Sequence, residues 1–166
     1  AIRAVKAAEE MATRSLRSIT DNPVFLMPDA AHPRGRALST GGYHNAAAAP
    51  ALDELAACYA DLALLAERQA AKLLEGRVSQ LPDQLATGLD DARYFGTVPR
   101  AAVGFGEAAR HAAPRTFLPG PESGGFAQDD VASNAIPAWN KHEAAGAAFV
   151  ACLSVLGAIG SQALFA

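Results

Sequence analysis

"STGGYHNAAAAPALDEL", Ser39–Leu55, sets the most polar and aromatic cluster of the chain against four consecutive alanines, then Pro50 and the acidic pair Asp53 and Glu54. Alanine is the best helix former and lets helices approach closely. The glycines Gly41 and Gly42 let a ligand reach the backbone. The first N–H groups of a helix lack partners and carry positive potential, which suits a carboxylate. Two readings follow: a plain glycine turn with Asn45 as N-cap, or the mouth of a helix where Gly42, Tyr43 and His44 line a small-molecule site. Beyond it, Leu52, Leu55, Cys58, Tyr59, Leu62, Leu65 and Leu73 recur at helical spacing, with Glu54, Asp61, Glu67, Arg68 and Lys72 as polar positions. This predicts a long helix from about Asn45 to Glu75.

The same composition runs through the whole chain. Of 166 residues, 51% are hydrophobic and 19% charged, which is globular rather than disordered. Alanine dominates the hydrophobic share, while β-branched and aromatic residues are sparse. One all-α domain over 1–166 is expected. A net charge of -3 with scattered basic residues excludes a nucleic-acid footprint. Cys58 and Cys152 lie in Ala/Leu-rich helical text and read as small apolar residues, not as a disulfide framework. His32, His44, His111 and His142 show no metal-ligand spacing. No signal peptide is read, and a cytoplasmic location is expected.

Ile2, Val5, Met11 and Leu16 mark a first helix that stops near Asp21-Asn22-Pro23, because the residue before proline avoids the α region and Asp-Asn favours turns. This helix begins at full amplitude without a cap, so the chain is expected to continue from another polypeptide or to be cut. "LMPDAAHPRGRALSTGG" reads as a loop with room for a short hairpin, and Gly76 and Pro82 break the long helix at "GRVSQLPDQL". A shorter helix is expected over Val98–His111 and a last one from Pro137 onward, separated by a long Pro/Gly-rich loop. From Ala144 to Ala166 no residue is charged, long enough to span a bilayer. Its Ala, Gly and Ser content and the lack of an aromatic belt favour a buried central helix, apolar all round, and no membrane is expected.

Three further clusters carry chemistry or turns. Gln128-Asp129-Asp130 places a carboxylate beside an amide in a Gly-rich loop, which suits an amine or a proton transfer; the structural reading is an N-cap cluster with Asp130 or Ser133. Asp21 and Asn22 read as turn formers, and Ser79–Pro82 as a helix break. Ser123–Gly125 holds a Ser-Gly step, one ingredient of backbone cyclisation, and reads as loop.

Taken in order, "SITDNPVF", "STGGYHNAAAAPALDEL", "SQLPDQL" and "FAQDDVAS" resemble the aromatic amino acid ammonia-lyase family, the histidine and phenylalanine ammonia-lyases and related aminomutases. The resemblance covers nearly the whole chain. It implies an all-α, long-helix bundle of the fumarase/aspartase-like type, assembled as a homotetramer with active sites drawn from three subunits. It implies elimination or migration of the amine of an aromatic or related amino acid, by way of a 4-methylidene-imidazole-5-one (MIO) electrophile made from an Ala-Ser-Gly tripeptide.

This sequence departs from the family pattern. It contains no Ala-Ser-Gly and no Gln-x-x-Tyr-x-x-Arg, the family's carboxylate-binding segment. Gly42 stands where the family has Asn. Asp129 stands at its Glu or Gln position, with Gln128 on the preceding amide. The resemblance therefore implies a C-terminal lyase portion that is inactive alone, with MIO carried on a separate N-terminal partner. Tyr43 and Asp129 would be catalytic. Gln128, Tyr43, His44 and Gly42 would bind the substrate. A non-catalytic scaffold and a lyase-fold enzyme with MIO-independent chemistry are the alternatives.

Overall fold

A computed structural model describes residues 1–19, 21–40, 45, 47–86, 95–116 and 135–166. The described chain is mostly helical: α1 (Ile2–Arg17), α2 (Ala48–Leu73), the one-turn α3 (Gly76–Ser79), α4 (Pro99–Ala112) and α5 (Ala135–Ala163). Short 3-10 turns occupy Asp83–Leu85 and Phe95–Thr97. The predicted helices are all present, with ends shifted by a few residues. The loop after α1 holds the expected small hairpin, β1 (Val24–Leu26) antiparallel to β2 (Arg36–Leu38), with Val24 opposite Leu38. Gly35 ends its loop at φ 69, where an added Cβ would stand 2.5 Å from the Leu26 carbonyl oxygen, so only glycine fits.

The break after α2 falls where Gly76 and Pro82 predicted it. Asp83 accepts the Gly76 N–H (3.0 Å), and the Gln84 N–H returns to the Leu74 carbonyl (3.0 Å). Gln80 closes α3 in the left-handed region at φ 63. These bonds replace the helical ladder that the break removes.

By contacts the chain divides into two compact units. One comprises Ala1–Leu55 with Arg115–Asn140, the other Ala56–Pro114 with Lys141–Ala166. The first has a small core of Ala48, Ala49, Leu52 and Ala138, with Met11 and Ala135 packed on it. In the second, α2, α4 and α5 meet through Ala60, Ala63, Ala66, Ala102, Ala109, Ala148 and Cys152. Leu85 and Ile159 close its far end over Ala70 and Leu74. Tyr59 stacks on Phe149 with ring centroids 5.9 Å apart and tilts against His142 at 5.6 Å.

Three expectations about faces are corrected. The buried stripe of α2 is mostly alanine, with Leu52 and Leu55 of the expected face also buried, while Leu65 is 52% exposed. Alanine has no side chain to hold helices apart, so the closest approach belongs to the alanine face. Glu67, read as a polar surface position, is 7% exposed and lies on that stripe. On α1, Ile2, Val5 and Leu16 are exposed, and Ala4 is the buried residue. Finally, α5 is not covered all round. Ala138, Ala145, Cys152 and Ile159 are buried at intervals of seven, while Ile136, Trp139, Val150 and Leu153 are exposed. It is long and apolar enough to cross a membrane, yet only 22% of its most apolar stretch is buried. Among the described residues, α2 and α4 pack on the buried side of α5.

Candidate functional site

The five candidate site residues, Gly42, Tyr43, His44, Gln128 and Asp129, lie outside the described residues, as do Asp130, Ser133 and Ser123–Gly125. The structure does describe the residues from which those segments depart, and each departure is held by a side chain named in the motifs.

Asn22 holds the first. Its Oδ1 accepts the Thr40 N–H at 2.9 Å and the Ser39 hydroxyl at 3.2 Å. The Thr40 hydroxyl donates to the Asp21 carbonyl at 3.1 Å, and the Asp21 carboxylate takes the Asn22 N–H at 2.8 Å. Asp21 thus makes the local turn expected of it. Asn22 does more, because it reaches across the hairpin to the two residues just before Gly41. A short amide that satisfies backbone groups in this way competes well with regular structure.

Asn45 stands on the far side of residues 41–44, in the left-handed region at φ 46. Its carbonyl accepts the Ala48 N–H (2.9 Å), and its Oδ1 accepts the Ser15 hydroxyl of α1 (2.9 Å). Asparagine tolerates this backbone better than most residues. Its side chain therefore ties α1 to the approach of α2.

Asp53 holds Thr116, the described residue that precedes the other segment. It is 8% exposed, in the second turn of α2. One carboxylate oxygen accepts the Thr116 N–H and the other the Thr116 hydroxyl, both at 2.6 Å. These are charge-assisted bonds, shorter and stronger than neutral ones. The sequence reading gave Asp53 no role beyond its motif. The signal was there: Asp53 falls between Ala49 and Ala56, at i+4 and i+3, on the buried alanine stripe, where a carboxylate must find donors.

In the second unit Glu67 and Cys152 are the buried chemical groups. The Cys152 thiol is wholly buried, donates to the Ala102 carbonyl (3.5 Å), and is pushed above the usual thiol range by burial and by the charge of Glu67. A protonated thiol there is a packing residue rather than a nucleophile. Among the described residues no cluster of His, Cys, Asp and Glu has the makings of a metal site.

The comparisons with known proteins agree with the order of the motifs. The sequence model of the aromatic amino acid lyases matches residues 1–165. A histidine ammonia-lyase of Streptomyces coelicolor is 39% identical over 107 residues, 63% of this chain and 20% of that protein. One from Sorangium cellulosum is 37% identical over 76 residues, 46% of this chain and 15% of that protein. The chain thus spans about a fifth of the length of the relatives it matches. The crystal structure of histidine ammonia-lyase from Trypanosoma cruzi superposes with a TM-score of 0.73 at 22% identity, covering 98% of this chain and 31% of that one. That likeness fixes the fold as the all-α helical type expected. These 166 residues belong to the aromatic amino acid lyase family.

Proposed function

We propose that residues 1–166 are the C-terminal portion of an ammonia-lyase-like enzyme that eliminates, or migrates, the α-amine of an aromatic or related amino acid. Histidine is the first substrate to test, because the matched relatives are histidine ammonia-lyases. The observation that carries the reading is the pair of anchors. Asn22 fixes Ser39 and Thr40 immediately before Gly42, Tyr43 and His44, and Asp53 fixes Thr116 immediately before the segment with Gln128 and Asp129.

These residues contain no Ala-Ser-Gly, so they cannot form an MIO group themselves. The residues that would face the group lie outside the described part of the chain. In the proposed enzyme it is supplied by a separate N-terminal chain, and it provides an electron-poor centre that no natural side chain offers. This chain's share is the rest of the pocket. The Tyr43 ring lines it, with Gly42 and His44 beside the substrate. Asp129 holds the amine or takes a proton from the substrate, and the Gln128 amide orients it. The assembly is of the tetramer type and cytoplasmic, with the bare face of α5 covered by other subunits and no membrane or nucleic acid involved.

Gly42 at the family's Asn position favours a second reading, a non-catalytic scaffold, and MIO-independent chemistry on the same fold is a third. Native mass spectrometry of the protein purified from its own cells, with the near-ultraviolet absorbance of MIO, separates them. A complex with a second, chromophore-bearing chain that releases ammonia from histidine or an aromatic amino acid is expected. A homo-oligomer without chromophore or partner would sink the family reaction here.

A further inference from the structure

We propose that α4 is a docking face for a second copy of this chain, with Arg100 of each copy received by Glu67 of the other. The starting point is a buried acid that the chain itself does not satisfy. Only 9% of the Glu67 side chain is accessible. Among the described residues neither of its oxygens accepts a hydrogen bond. Its ion-pair partner there is Arg68, whose Nε stands 3.9 Å from Oε1 and whose side chain is 70% exposed. That separation is beyond hydrogen-bond reach. Burying a carboxylate without a donor is costly. One carboxylate offers too few oxygens for a calcium or magnesium ion, and no cluster of His, Cys, Asp and Glu forms among the described residues. A guanidinium needs only the one carboxylate, and brings two parallel N–H donors to it.

Helix α4 supplies the way in. Glu67 Oε2 lies 2.9 Å from where a Cβ on Gly106 would stand, so it rests against bare backbone. Residues three and four apart share one side of a helix. Val103 and Arg110 flank Gly106 in this way, and both are exposed, Val103 by 46%. Arg110 is already given to Glu107. Arg100 continues the flank one turn before Val103. It is exposed, and among the described residues it has no acid partner. It stands about 9 Å along the helix axis from Gly106 of its own chain. Two α4 helices crossing antiparallel on a two-fold axis at Val103 change that distance. Residues 100 and 106 each lie three residues from Val103, so Arg100 of one copy comes opposite Gly106 of the other. Its guanidinium then meets Glu67 across the glycine gap, and Val103 packs on Val103. The contact is made twice, each copy giving one cation and one acid, as a two-fold interface requires.

The test is disulfide trapping in the full chain, with Cys58→Ser removing the half-buried thiol. Val103→Cys places two thiols at the two-fold axis, within the Cα separation a disulfide spans. Mild oxidation is expected to give a covalent dimer. Ala108→Cys, exposed on the other side of α4, should stay monomeric on a denaturing gel. Arg100→Glu faces Glu67 with a like charge and should slow trapping at residue 103 roughly tenfold or more, the range for a bond to a charged group. Arg100→Lys keeps the charge and should trap faster than Arg100→Glu. Glu67→Gln keeps the shape without the charge and should slow trapping as Arg100→Glu does. Salt at about 1 M should slow the chain with Glu67 intact more than the Gln variant. Arg100 is exposed, so its variants serve if Glu67→Gln does not fold. Equal trapping at residues 103 and 108 would mean random collision and would overturn the docking face. Trapping unchanged by both Arg100→Glu and Glu67→Gln would overturn the pairing. In extract of its own cells, a cross-link from Val103→Cys to a different polypeptide and none to itself would assign the face to another partner and overturn the proposal.

Discussion

Single polar residues on alanine stripes carry much of what distinguishes this chain from a plain helical bundle. Asp53 and Glu67 lie on the same face of α2, both buried, yet they meet different surroundings. Asp53 finds two donors on Thr116. Among the described residues the cation paired with Glu67 is Arg68 at 3.9 Å, itself largely exposed. The sequence reading put Glu67 on the surface because it counted leucines to define the buried face. Counting alanines would have placed both acids inside. The charge of Glu67 is felt by Cys152, whose thiol is raised by burial first and by that carboxylate second. A thiol held protonated and wholly buried reacts slowly, because the thiolate is the nucleophile. In the native protein at pH 8, Cys152 is expected to resist a thiol reagent until the protein is unfolded, while the half-buried Cys58 is labelled first. Mass mapping of the modified peptides checks this, and labelling of Cys152 at the rate of Cys58 would contradict it.

At the scale of elements, helix positions were legible because proline, glycine and turn residues punctuate long alanine-rich runs. Helix faces were less so. In α1 and α5 several large apolar residues, Ile2, Leu16, Val150 and Leu153 among them, point away from the described core, while alanines do much of the packing. Periodicity in large side chains finds a face but does not say what covers it. Helix α4 makes the point through two glycines on opposite sides. Gly104 is exposed, and a Cβ there would meet nothing within 4 Å. Gly106 is buried, and its Cβ would stand 2.9 Å from Glu67 Oε2. Gly104→Ala is expected to stabilise the protein by about 0.5–1 kcal/mol, the helix-propensity gain. Gly106→Ala has the same gain but must displace a buried carboxylate, and is expected to destabilise by roughly 1–3 kcal/mol. In a Glu67→Ala background the Gly106→Ala change should turn neutral or stabilising. Urea midpoints of the four variants measure this, and additivity of the Glu67 and Gly106 changes would show that the two do not meet.

For the whole molecule, the motifs in their order carried the family. They do not carry the geometry of the site, because Tyr43, Gln128 and Asp129 lie outside the described residues. Ile136, Val150 and Leu153 are exposed along one side of α5, and Ile2 and Leu16 stand out on α1. Monomeric soluble proteins rarely leave such surface uncovered. Purified alone, the 17.1 kDa chain is expected to self-associate at micromolar concentration. Light scattering should give a weight-average mass above that of one chain at every dilution where signal remains. Val150→Glu combined with Leu153→Glu places two charges on the apolar face. Burying a charge without a partner costs several kcal/mol per ion, so dissociation should be favoured by at least roughly a hundredfold. The same pair should block assembly into the proposed enzyme while leaving helix content intact, because neither side chain is part of the buried line of Ala145, Ala148 and Cys152. A stable 17.1 kDa species from the unaltered chain would mean that α5 closes on its own surface in solution. In that case the double glutamate variant should lose helix content instead of losing partners, which makes the two outcomes separable in one pair of proteins.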